Sequence, residues 1–283
     1  QGPVLGKIEQ IDMYKNGRLQ LAFATPNRVY VLDRNGKDVA PFPLKFNDKI
    51  TQPLSVFDYD KNKNYRLLVT QGKEILMYDG KGKFVKGFNY NASNAINTQP
   101  KHFRISGKDY IVFSAGKTLK ILNRRGQNRI QVKESVDFSK NEIYLYKNKF
   151  TTTSNKGELI QVNLNGSVSK QSLALNDNHK IVTTSKTLVT LSENNLNIKQ
   201  KPFEMDFGDY TPPKIFYIND KIYVTTTDLQ TQKIYLFDSQ AKLISNFPVY
   251  GNSSIELDNI DKDKALEFVT IGDSNSIIIY SKN

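Results

Sequence analysis

The residues best placed to do chemistry in this 283-residue chain are oxygen donors in two loops. Asp58, Asp60, Asn62 and Asn64 alternate along one loop, and Asn259, Asp261, Asp263 and Glu267 along the other. A hard cation such as Ca2+ takes several oxygen ligands, and alternating loop positions can turn them toward one point. Both sets are therefore candidate Ca2+ ligands. The second is favoured by its surroundings, since residues 251–283 carry three basic and six acidic side chains. The competing reading is an Asx-rich turn whose oxygens are satisfied by its own backbone amides.

No catalytic residue is assigned. The chain has no Cys and only two His, His102 and His179, so thiol catalysis, Cys-ligated zinc and a three-histidine centre are excluded. His102 precedes an apolar run and His179 follows Asn176-Asp177-Asn178, and both read as solvated or capping residues. Asp206 and Asp209 form a carboxylate pair on a loop, with no nucleophile elbow, phosphate-binding loop or dinucleotide fingerprint anywhere. The densest basic stretch holds Arg124, Arg125 and Arg129 with Lys117, Lys120 and Lys133 nearby, a candidate polyanion-binding patch for an anionic polymer or lipid surface. Few aromatics accompany it, which argues against reading nucleic acid by base stacking.

The 40 Lys+Arg against 28 Asp+Glu leave a net charge of +12. The excess is dispersed lysine (32 Lys, 8 Arg) without long like-charge blocks, a pattern suited to solubility and to blunting strand edges rather than to nucleic acid. No apolar run approaches the ~20 residues of a membrane-spanning helix.

The elements that must position these residues repeat along the chain. A polar loop, an apolar strand, a short turn and a second apolar strand recur in residues 12–37, 58–83 and 259–280. Weaker copies lie around residues 119–126, 159–166, 188–195 and 234–241. Units close near Gly36, Gly82, Gly126, Gly166, Asn195 and Ala241, and the last unit closes near Tyr280. An Asp or Asn opens most of these turns and a residue tolerant of positive φ ends them. A period of about 40–45 residues with several short strands per unit predicts an all-β propeller. The expected form is a single domain over residues 1–283, with seven blades of about four antiparallel strands and little or no helix. Merging the short unit before Asn195 would reduce the count to six. Val4–Ile8, or a segment upstream, is expected to complete the last blade. The chain begins Gln1-Gly2-Pro3 without Met, which reads as a processed chain or the C-terminal part of a longer one.

The Asp-x-Asp-x-Asn/Asp loop followed by three apolar residues resembles FG-GAP/VCBS propeller repeats, and the strand–turn half resembles quinoprotein-like blades. In such families Pro41-Phe42-Pro43 and Asn246-Phe247-Pro248 would sit at an outer strand. Departures from the pattern are Tyr14 in the first loop, Lys63 and Lys264 at the usual glycine, and Arg66 and Gln20 where the last loop has Glu267. The resemblance implies a bacterial cell-envelope or surface protein, periplasmic, outer-membrane-associated or secreted. The Lys/Asn/Ile/Tyr-rich composition resembles that of Bacteroidetes-type bacteria. The expected function is a non-catalytic scaffold that binds another protein, with no nucleic acid and no transmembrane segment. The alternatives are an accessory subunit of an outer-membrane assembly or secretion machine, and a glycan-binding or polysaccharide-processing propeller.

Overall fold

The computed structural model describes residues 2–261, 263 and 265–282. Its strands form seven antiparallel sheets in chain order, six of four strands and the seventh of three, arranged as a β-propeller. The only helix among the described residues is a single 3-10 turn, Asp273–Asn275. The chain divides into two compact units, residues 1–143 with 162–168, and residues 144–161 with 169–283. The first unit holds the first three sheets, and the second holds the last three and most of the fourth.

Each sheet is a meander, and in the first six the second and third strands supply the core. Val, Ile, Leu, Tyr and Thr suit a pleated surface packed on its faces. The third strand of the first sheet, Arg28–Leu32, buries Val29, Tyr30 and Val31. In the first unit Val29 and Val31 meet Leu67 and Val69 of the second sheet, while Ile75 and Met77 meet Ile111 and Phe113 of the third. In the second unit Val189 and Leu196 meet Val224 and Phe237, and Ile234 and Leu236 meet Leu257 and Phe268. Each of these apolar clusters therefore draws on two consecutive sheets.

The turns after the third strands have the expected chemistry. Asp33 Oδ1 accepts the N–H groups of Asn35 and Lys37 at 2.8 and 2.9 Å. Asp79, Asn123 and Asp238 repeat that pattern two and four residues on. Gly36, Gly82, Gly126 and Gly166 all have positive φ, and Ala241 adopts the same region at 60°. Asn195 does not belong to this series. It opens the third strand of the fifth sheet, Asn195–Ile198, and the corresponding turn is Lys199-Gln200 at φ 50° and 67°.

Pro41-Phe42-Pro43 and Asn246-Phe247-Pro248 lead directly into the short fourth strands Leu44–Lys45 and Val249–Tyr250, as expected. Val4–Ile8 does not complete the last blade. Leu5–Ile11 pairs antiparallel with Gln20–Thr25 as the first strand of the first sheet. Among the described residues the seventh sheet comprises Glu256–Asp258, Leu266–Ile271 and Ile277–Lys282.

Two turn glycines separate backbone conformation from crowding. At Gly36 a Cβ would meet nothing within 4 Å, whereas at Gly166 it would lie 2.3 Å from the Gln131 carbonyl oxygen. Gly36→Ala should cost about 1 kcal/mol for the left-handed backbone alone. Gly166→Ala should cost at least about 1 kcal/mol more, because backbone must move. Equal losses in urea denaturation would contradict that difference.

Candidate functional site

The acidic loop of the second sheet joins Ser55–Phe57 to Arg66–Gln71. Its oxygens are already engaged. Asp58 accepts Asn62 N–H at 3.1 Å and Lys63 N–H at 2.8 Å, and Asn62 accepts Asn64 N–H at 3.1 Å. Asn64 accepts the Lys15 ammonium at 2.8 Å, and Asp60 turns away toward arginines. Each of the four candidate ligands thus has partners of its own within the protein. Lys63 reaches instead to the buried Asp12 of the first loop, whose carboxylate also accepts Asn16 and Gly17 N–H at 3.0 and 2.9 Å. That ammonium, then the two amides, hold Asp12 below the usual carboxylate range against the opposing effect of burial. Lysine at the usual glycine position thus supplies a fixed cation.

The loop of the seventh sheet differs. Carboxylate oxygens of Asp261, Asp263 and Glu267 lie within 4.8 Å of one another, with Glu267 buried and both aspartates exposed. Each also accepts a backbone amide: Asp261 from Asp263 at 3.1 Å, Asp263 from Ala265 at 2.6 Å, and Glu267 from Ile260 at 2.9 Å. Asn259 donates its Nδ2–H to the Asp263 carbonyl at 2.7 Å. Lys264 lies outside the described residues. These three carboxylates are the residues that could hold a hard cation.

The densest site of charge lies in the first unit and was not legible as a site in the sequence. The Asn123–Gly126 turn directs Arg124 back over the sheet. Its Nε donates to Asp109 Oδ2 at 2.6 Å, and its two terminal nitrogens donate to Asp60 at 3.0 and 2.6 Å. Its guanidinium lies 4.6 Å from the Tyr59 ring centre. Asp109 is buried and bonds His102 Nε2 at 2.8 Å, while Arg104 reaches it at 3.3 Å and donates to the Tyr59 carbonyl at 2.8 Å. The His102 ring packs against Tyr59 and Phe57, 4.8 and 5.4 Å between centres.

The electrostatics follow from these contacts. Burial pushes His102 below the ordinary histidine range, although the Asp109 hydrogen bond opposes it. Burial alone would raise Asp109, but the bonds from His102 and Arg124 hold it low. Arg124 is held firmly charged by Asp60. His102 is therefore neither solvated nor a cap, but part of an ion network across the second and third sheets. His179 is buried too, with Nδ1 2.7 Å from the Asn176 carbonyl and Nε2 2.8 Å from Thr153 Oγ1. Of the basic candidates, Arg124 is spent internally, Arg129 lies over Tyr110 at 5.3 Å, and Arg125 is exposed. A neighbouring cavity of 210 Å³, lined by Tyr90, Leu119, Lys120, Leu122, Asn128, Gln131 and Val132, is below the roughly 300–1,000 Å³ usual for ligand pockets.

In the second unit one loop presents an aromatic side chain outward. Phe207 is 81% exposed, the most exposed large hydrophobic residue described, and lies between the exposed Asp206 and Asp209. Asp228, fully buried, fixes this loop by accepting Asp209 N–H and Gln230 N–H, both at 3.0 Å, and the Thr231 hydroxyl. Leu229 N–H donates to the Asp209 carbonyl at 2.8 Å, and the Tyr210 hydroxyl to the Asp206 carbonyl at 2.6 Å. Gly208 is required because a Cβ there would lie 2.5 Å from the Asp228 carboxylate. The Thr225-Thr226-Thr227-Asp228 run gave no sequence signal of this role.

No protein-family model matches the chain, and no curated protein matches it in sequence. Solved structures do match in fold. The BBS1N structure, in complex with ARL6DN, matches at TM-score 0.71 and 10% identity, covering 100% of this chain and 93% of that one. Sqt1 of Saccharomyces cerevisiae matches at TM-score 0.64 and 12% identity, covering 93% and 81%. Virginiamycin B lyase from Staphylococcus aureus matches at TM-score 0.59 and 13% identity, covering 98% and 99%. The likeness is one of fold, and it spans an enzyme as well as a protein solved with a protein partner. Function has to be argued from this chain's own surfaces.

Two outcomes follow from the geometry. Lowered in the folded state, His102 binds fewer protons there than when unfolded, so stability is fully present above about pH 6.5 and falls as pH drops through the folded value. Chemical denaturation between pH 7 and 5 should show this loss, and His102→Gln should flatten it; an unchanged slope would remove His102 as the cause. Three carboxylates this close repel one another. Asp263→Asn should therefore raise the melting temperature in chelator and abolish any rise on adding Ca2+. A variant that melts lower in chelator, or still responds to Ca2+, would refute this.

Proposed function

We propose that the chain is a non-catalytic protein-interaction module that uses the Phe207 loop as a preformed anchor. The observation that carries this reading is a large aromatic side chain, 81% exposed, on a loop held by a fully buried carboxylate. Exposed aromatics cost solubility, whereas a rigid aromatic side chain can enter a partner's pocket with little loss of conformational freedom. Asp206 and Asp209 favour a partner whose pocket has a basic rim.

The wider setting belongs to the same proposal. The loop and strand patterns support membership among FG-GAP/VCBS-like or quinoprotein-like repeats, and the composition supports a Bacteroidetes-type bacterium. On that reading the chain works in the periplasm, at the outer membrane or after secretion, as a scaffold or as an accessory subunit of an assembly or secretion machine. A glycan ligand is the second reading, favoured by the same geometry, because an exposed aromatic ring flanked by carboxylates is also a platform for a sugar ring.

Affinity purification from the native organism with the wild-type chain and Phe207→Ala provides the test. Phe207→Ala should leave stability within about 0.5 kcal/mol. It should weaken the specific partner at least about tenfold. Partners retained equally by the variant would overturn the assignment of Phe207, and a glycan array lit by the wild type and dark for the variant would favour the sugar ligand.

A further inference from the structure

Beside the basic stretch of the first unit lies a cavity whose polar groups the fold leaves unspent. Its walls are the fourth strand of the second sheet, Tyr90–Asn91, and the third and fourth strands of the third sheet, Thr118–Leu122 and Asn128–Ile130, with Gln131 and Val132 beyond. Leu119, Leu122 and Val132 are at most 4% exposed and make one side apolar. The Tyr90 ring stands edge-on to Phe113, 5.3 Å between centres, which fixes it as a second wall. Asn128 lies opposite Leu122 and Ile130 opposite Ile121, so Arg129 is the extra residue of a β-bulge. Arg129 turns to Tyr110, while Asn128 and Gln131 line the cavity.

Two tight turns hold these walls in place. A Cβ at Gly126 would lie 2.8 Å from the carbonyl oxygen of Asn89, which precedes Tyr90, and one at Gly166 would lie 2.3 Å from that of Gln131. Backbone packed this closely gives the cavity its shape before any ligand arrives, as is usual for small-molecule sites. Lys120 is half-buried. Among the described residues its ammonium meets no carboxylate, and the Tyr90 hydroxyl, which burial pushes above the usual tyrosine range, makes no hydrogen bond. Asn128 donates an Nδ2–H to Gln131 Oε1 at 2.5 Å, which leaves the Gln131 side-chain N–H groups unused. There is no Asp or Glu among the lining residues, and the neighbouring Lys117 is already paired with Asp137 at 2.8 Å. The one charge lining the cavity is therefore positive and uncompensated.

At 210 Å³ the cavity is too small for a drug-sized molecule. An apolar cavity of about 150 Å³ binds benzene, and one water molecule takes up about 30 Å³ of the liquid. The space therefore holds one six-membered aromatic ring, and the remaining roughly 60 Å³ holds a group the size of about two waters. An ammonium beside a phenol and an amide N–H offers several donors and suits an anion with two acceptor oxygens. We propose that this cavity is a binding site for a monocyclic aromatic carboxylate about the size of benzoate. The ring packs on Leu119, Leu122, Val132 and the face of Tyr90. The carboxylate accepts from the Lys120 ammonium, with the Tyr90 hydroxyl and the Gln131 amide as further donors. The site lies in the first unit and does not depend on the Phe207 loop.

Benzoate itself is the probe. Isothermal titration of the full chain should show saturable one-to-one binding with a dissociation constant of about 1 mM or below, as a ligand of this size allows. Benzylamine, with the same ring and the opposite charge, should bind at least about tenfold more weakly. Lys120→Met keeps the stem and removes the charge, and should weaken benzoate at least about tenfold. Tyr90→Phe keeps the ring on Phe113 and should weaken it about fivefold. Phe207→Ala should bind benzoate as the wild type does, so loss of one site leaves the other standing. The proposal is overturned by no saturable binding at about 20 mM benzoate, by equal binding of benzylamine, or by undiminished binding to Lys120→Met. It is also overturned if acetate binds as tightly as benzoate, which would assign Lys120 to a patch of surface charge rather than to a cavity that holds a ring.

Discussion

One constraint recurs throughout this structure: the second and fourth residues of a third strand must be covered on a face that the strand cannot cover itself. In the first sheet these are Val29 and Val31, covered by Val39 and Phe42 of the following connection and by Leu67 and Val69 of the next sheet. Burying a side chain of this size stabilises by about 1.5–3 kcal/mol, so the first sheet depends on its outgoing connection and its neighbour together. The turn between them is correspondingly fixed. Asp33, Asp79, Asn123 and Asp238 each hold two backbone amides, which directs the chain back across its own strand.

Because that turn chemistry is local, it was readable from the residues alone, and with it the seven-sheet architecture. The fifth sheet was misregistered for the same reason. Its turn, Lys199-Gln200, adopts positive φ without a glycine or an Asx residue to mark it, whereas the preceding hairpin at Glu193-Asn194 carries an Asx residue. The role of the first strand was also hidden. Leu5–Ile11 carries enough apolar residues for either end of the fold, and only its pairing with Gln20–Thr25 assigns it.

The candidate sites divide along the same line. Spacing within a loop was legible, and the seventh-sheet carboxylates do converge. Partners from another sheet were not. Nothing near Asp60 in the sequence announces Arg124, 64 residues away, and nothing near Asp12 announces Lys63, 51 residues away. These contacts change what the loops can do, because an acidic loop holding an internal ammonium or guanidinium has its charge already balanced. His102 shows the same limit: its flanks look solvent-facing, yet Phe57 and Tyr59 lie against its ring.

The net charge of +12 takes on a different meaning once these contacts are counted. Part of the positive charge that looked most available, Arg124, is used to bind the second sheet to the third, and Arg129 lies over an aromatic ring. Dispersed surface lysines interact weakly with any one partner and are screened by salt. What stands apart on this surface is apolar: Phe207 on its braced loop, and Ile277 and Ile279 on the last described strand. Association through such groups draws on burial of apolar area, which screening does not weaken. Dispersed lysines between such groups limit indiscriminate contact.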